Sequence, residues 1–236
     1  MALKLKDVIV RGCKDKEKTE LEGVLDQWVK LVNQYSLQHS NSSNKELKDA
    51  CYWHNERANL GVLAAAAWKK KGWCALEEYV TYKYHKINGE KLGRCDLYMR
   101  GVTKSYACEA KQVLLNIGNK VKPTKTPFEK LKKYAKIDAK ELHSKEADKR
   151  LALCFCIPYF HSNLIDDVQN KNSVATKVIR HWLKNLLIEL DKHKIVALAY
   201  TFPENARLLT SKEKYIFPGV VLLISEIKRG NGNGRK

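Results

Sequence analysis

The stretch "GRCDLYMRGVTKSYACEAKQ" (residues 93–112) decides the fold. It reads as two short strands, 94–100 and 104–112, joined by a turn, with Asp96 near the start of the first and Glu109 and Lys111 on the second. Acids are poor strand residues. A buried charge is costly unless it is paired or binds a metal. Side chains alternate along a strand, so Glu109 and Lys111 share a face with Ala107, while Tyr106, Cys108 and Ala110 take the other. By the same alternation Asp96 shares a face with Arg94 and Tyr98. In an antiparallel hairpin Asp96 and Glu109 converge at one end. Two carboxylates held together repel unless a divalent cation lies between them, and a lysine beside them can steady an attacking water or a phosphate. The plainer alternative is an ordinary Glu–Lys pair on an exposed strand face. The small and apolar residues on both faces of 106–110 speak for an internal strand instead.

The flanking sequence supplies the sheet that such a hairpin needs. A stripe of Leu21, Val24, Leu25, Trp28, Val32 and Tyr35 predicts a helix over 17–37. A polar loop, "QHSNSSNK", separates it from a second helix predicted over 46–71. Gly72 stops that helix, and a run of alanines, 64–67, lets it lie close to a sheet. A strand at 73–84 follows, with a turn at Asn88-Gly89 before the hairpin. Next come a helix over 126–143 with Pro127 at its start, a strand at 150–160 apolar enough to be buried on both faces, and an amphipathic helix over 173–193. A buried strand at 194–202 and a last strand at 215–227, broken at Pro218-Gly219, complete the order. The expected class is α/β: a central mixed sheet flanked by helices on both faces. Three segments are expected: an N-terminal helical extension (1–45), an α/β domain (46–227) and a disordered basic tail (228–236).

Composition narrows the partners. The 236 residues carry a formal net charge of +18, from 44 basic and 26 acidic side chains. Such a surface attracts polyanions, and nucleic acid leads because binding releases condensed counterions. No apolar run approaches the ~20 residues that span a bilayer, and "MALKLKDVIV" is too charged for a signal peptide. A cytoplasmic protein with no membrane partner is expected. The cysteines number seven, with no CxxC; Cys154 and Cys156 read as core packing.

Asp96, twelve intervening residues, then Glu109-Ala110-Lys111 resembles the PD-(D/E)xK, or restriction-endonuclease-like, nuclease superfamily. The "GR" before "CD" and the helix–strand order across 46–202 are similar to that family's αβββαβ core. Cys95 stands where the family's proline would be. The resemblance implies an enzyme: a Mg²⁺-dependent deoxyribonuclease, with endonuclease action preferred and Mn²⁺ substituting. Asp96 and Glu109 would hold the metal and Lys111 would assist the attacking water. Glu56, in the helix, would be the third acid, with Glu77 and Glu78 competing for that role. Double-stranded DNA is the implied partner, with a homodimer left open. Lys120, Lys122, Lys125, Lys130, Lys133 and Lys140 in the basic segment, together with Arg94 and Gln112, would contact it. The alternatives are a catalytically inactive nuclease fold that binds nucleic acid and a basic scaffold that binds protein. Tyr79, Tyr82 and Tyr84 read either as base-stacking residues or as cross-strand packing.

Overall fold

The computed structural model describes residues 7–11, 15–40, 49–85, 89–118, 126–143, 145–165, 169–208, 211 and 214–227. Lys120, Lys122, Lys125, Asn88 and the 228–236 tail lie outside the described residues. The elements run β1 (Val8–Val10), α1 (Asp15–Ser40), a 3-10 turn (Cys51–Trp53), α2 (Glu56–Lys69), β2 (Cys74–His85), β3 (Gly89–Arg100) and β4 (Ser105–Asn116). Then follow α3 (Thr126–Lys130), a π turn (Leu131–Ala135), α4 (Lys136–Glu141), β5 (Lys149–His161), α5 (Lys171–Glu189), β6 (Ala197–Thr201), β7 (Tyr215–Ile216) and β8 (Val220–Ile227).

One open, mixed sheet has the order β1-β6-β8-β5-β4-β3-β2, with β7 beside β5. Only β4 and β5 are parallel neighbours among the described pairs; the others are antiparallel. A parallel pair needs a crossover, and α3 and α4 provide it. β5 shows why the sheet is covered twice. Leu151, Leu153, Phe155 and Ile157 enter one core with α1 and α2. The alternate residues Ala152, Cys154 and Cys156 enter a second core with α3 to α5. The near-continuous apolar run at 150–160 is what a strand buried on both faces requires.

The helix expected to begin at 46 starts ten residues later. Asn55 caps it by accepting the Ala58 N–H at 3.0 Å, and the 3-10 turn at Cys51–Trp53 precedes the cap. At its other end Gly72 takes φ +80°, as a stop there demands. The helix expected over 126–143 ends at Glu141 and contains the π turn, while Phe128, Leu131, Ala135 and Leu142 are all buried as the stripe implied. The helix over 173–193 is shorter, α5 giving way to a 3-10 turn at Asp191–His193. Pro218-Gly219 does break the last strand, into β7 and β8. The boundary drawn at residue 45 falls outside the described residues, but α1 packs into the core that α2 and the sheet share: Leu21, Val24, Leu25, Trp28 and Val32 are buried there. β1, too short to leave a periodic signal, adds a strand beside β6.

Because Trp28 is fully buried against Phe155, Trp28→Ala should cost about 3–5 kcal/mol. Urea unfolding followed by circular dichroism should show one transition moved to much lower denaturant. A small shift would mean that α1 is only an appendage.

Candidate active site

The site begins where two strands part. β3 and β4 pair only over Leu97–Arg100 and Ser105–Cys108, whereas β4 stays paired with β5 along Tyr106–Asn116. From Glu109 onward the other edge of β4 loses its strand. β3 continues instead with β2 as a two-stranded arm out to His85 and Gly89.

Backbone N–H groups two residues apart on a strand point to the same edge, so the fork leaves those of Ala110 and Gln112 to be satisfied by something else. The Asp96 carboxylate accepts the Ala110 N–H at 2.8 Å. The Gln112 N–H is near enough to Glu56, in the first turn of α2, to favour its ionised carboxylate. Two carboxylates from different elements are thereby lined up along one strand edge. Gln112 fixes the second of them. Its side-chain amide accepts from Asn59 Nδ2 at 2.9 Å and donates to the His54 carbonyl at 3.3 Å, tying the start of α2 to β4. The side chain assigned to nucleic acid by resemblance is therefore engaged with α2.

The fork also turns the arm over. Leu97 and Met99 lie in the core beneath α1 and α2, but Cys95 packs with Tyr98 in a small cluster on the opposite side. The alternation reverses at Asp96. On β2 it reverses at Glu78, the residue in register with Asp96, which takes φ +52°. The expectation that Asp96, Arg94 and Tyr98 share one face is thus corrected: Tyr98 packs edge-to-face on Tyr79, while Arg94 sits 3.3 Å from Glu78.

Glu109 is 2% exposed. Burial, then the Asp96 charge, push its carboxyl up to about 7, against the opposing pull of Lys83. Lys83 Nζ, from the arm, lies 2.8 Å from Oε1. This ammonium is the partner of the buried Oε1. Lys111 is 3.0 Å from Asp138 of α4. Burial lowers its affinity for the proton, but Asp138, Glu56 and Asp96 outweigh that and hold the ammonium above its ordinary value. Glu56 is itself raised, first by burial, with Lys111 opposing and Asp96 adding.

Asp96, Glu109, Lys111 and Glu56 are thus brought to one place. Glu78 is not among them: it is tied to Arg57 and Arg94. Glu77 lies against Gly61 on the flank of α2. Two site residues escaped the sequence reading. Asp138 could have been found, since 131, 135, 138 and 142 fall on one helical stripe and the acid breaks an apolar series. Lys83 gave no signal, because the reversal at Glu78 decides which way it points. Of the basic residues, Lys130, Lys133 and Lys140 are exposed on α3, the π turn and α4.

Among the described residues no group of three or more His, Cys, Asp or Glu side chains is placed to hold a metal ion. Mg²⁺ does not need one, since it is usually held by one or two carboxylates, waters and substrate phosphates. The buried carboxylate of Glu109, which already draws one cation, lies beside that of Asp96, a donor set whose chemistry fits such an ion. No family model matches the chain, and neither a curated protein nor a solved structure does.

Glu109 titrates near 7 when folded, against an ordinary value of 4.5. The folded protein binds this proton more tightly. The stability linked to it is complete below about 4.5 and is lost as the pH rises through about 7. In EDTA, the fall in melting temperature between pH 5 and pH 8 should shrink in Glu109→Gln; an unchanged fall would contradict the assignment.

Proposed function

We propose that this chain is a metal-dependent deoxyribonuclease of the PD-(D/E)xK kind, with α2, β2 to β5 and the α3–α4 crossover as its restriction-endonuclease-like core. The observation that carries this reading is the meeting of Asp96, Glu109, Lys111 and Glu56 at the fork of the sheet. Asp96 and Glu109 would hold the cation and Glu56 would complete the acidic shell. A divalent ion there would supply an acidified water and charge stabilisation at the phosphate.

The protein's own groups have separable tasks. Lys111 keeps its proton, held by Asp138 at 3.0 Å, so it positions a water or phosphate oxygen rather than acting as a base. Asp138 orients Lys111. Lys83 lowers the cost of ionising Glu109. The exposed Lys130, Lys133 and Lys140 would meet the DNA backbone, each contact releasing counterions.

One observation favours a second reading. Lys83 already lies 2.8 Å from Glu109, and an ammonium in that place can substitute for a cation in a nuclease fold that binds without cutting. Incubation of the protein with linear, circular and single-stranded DNA in Mg²⁺ or EDTA separates the two. Cleavage should require Mg²⁺, and Lys111→Ala should slow it at least ~100-fold, the scale of removing one charge-stabilising donor, with DNA binding retained. Absence of metal-dependent cleavage of every substrate would overturn the enzyme and leave the binding protein.

A further inference from the structure

The reversal at Glu78 creates a surface that the cleavage chemistry does not use. Beyond it Thr81 and Lys83 turn inward, whereas Val80, Tyr82 and Tyr84 are 62%, 56% and 55% exposed. Across the arm, Tyr82 is in register with Leu92, itself 68% exposed, and Val80 with Arg94. Tyr82 and Tyr84 therefore stand side by side on one open face, roughly 7 Å apart along the strand. Without the reversal both tyrosines would face the side occupied by Lys83 and Glu109.

The rim of this face is cationic. Arg57 and Arg94 both contact Glu78 and remain 69% and 62% exposed. Glu78 is neutralised by those arginines, and Glu90, in register with Tyr84 at the end of the face, lies 3.8 Å from His143. Arg57 directly follows Glu56, so the rim adjoins the acidic site.

Open tyrosine rings among aliphatic neighbours, bordered by arginine, suit unpaired bases. Base faces stack on the rings, and phosphates reach the cations. An intact duplex offers neither, because its base faces are hidden and its phosphates would meet Val80, Tyr82 and Leu92. A second copy or another protein would find the apolar area, but the cationic rim and the chain's +18 charge favour a polyanion.

We propose that the outer face of the β2–β3 arm, with Tyr82 and Tyr84 as stacking residues and Arg94 and Arg57 at its rim, holds an unpaired nucleic-acid strand leading to the acidic site. This deepens the nuclease reading and rests on it for its purpose: the substrate becomes DNA with an unpaired segment, such as an overhang, flap or junction.

The test is equilibrium binding in EDTA, where no cleavage occurs, of a fluorescent oligothymidine, a blunt duplex and a duplex with an overhang. Tyr82→Ala/Tyr84→Ala should weaken binding of the single strand and the overhang at least tenfold and leave the blunt duplex within twofold. Tyr82→Phe/Tyr84→Phe should bind like wild type, because stacking survives. Equal losses on all three probes, or no loss, would overturn the proposal. So would sedimentation showing a wild-type dimer that the alanine variant dissociates, which would assign the face to a second copy. Cleavage assays of the wild type judge the nuclease reading separately, since the binding difference needs no catalysis.

Discussion

The hydrogen bond from the Ala110 N–H to the Asp96 carboxylate is the constraint on which the rest of the site depends. A buried backbone donor left without a partner costs about 1–3 kcal/mol. At the fork of the sheet that cost is avoided at Ala110 by a side chain that replaces a strand. Once Asp96 serves as the ladder's next acceptor, β3 is free to leave β4. Glu109 is then buried next to a second carboxylate, and α2 brings Glu56 close to the same edge. The reversal of the arm at Asp96 and Glu78 belongs to the same event. It sends Lys83 to Glu109 and the tyrosines outward.

The electrostatics divide along the same line. Four carboxylates, Asp96, Glu109, Glu56 and Asp138, gather around two lysines, Lys83 and Lys111, inside a chain whose net charge is +18. The chain as a whole is basic, and the interior of the site is rich in carboxylates. The raised carboxyl of Glu109 is the mark of an acid placed where its charge is not fully compensated. Such groups concentrate at functional sites. That Lys111 is held protonated by its acidic neighbours fits a positioning role for it.

Much of this was legible in the sequence, for identifiable reasons. The stripes of α1 and α3–α4 and the double-sided apolar run of β5 follow from periodicity alone, and so does the turn of α2 at Gly72. Asp96, Glu109 and Lys111 stand out because charged residues interrupt strands whose neighbours are small or apolar. What stayed hidden depends on departures from regular geometry. The start of α2 was displaced because polar residues at 46–55 fit helical composition, and only the Asn55 cap marks the boundary. The faces of Arg94, Tyr98 and Lys83 could not be read because strict alternation fails at Glu78 and Asp96. β1 is three residues long, too short for a periodic signal. Among the described residues no helix is long and apolar enough to cross a membrane, in keeping with the absence of a long apolar run.

The central claim is that Asp96 and Glu109, set side by side by the fork, are the ligands of a divalent cation. Anomalous diffraction from crystals soaked in Mn²⁺ tests it most directly. The account predicts a single strong peak within bonding distance of both the Asp96 and Glu109 carboxylates, lost in Asp96→Asn. A peak elsewhere, or Lys83 still against Glu109 with no metal at saturating Mn²⁺, would contradict it.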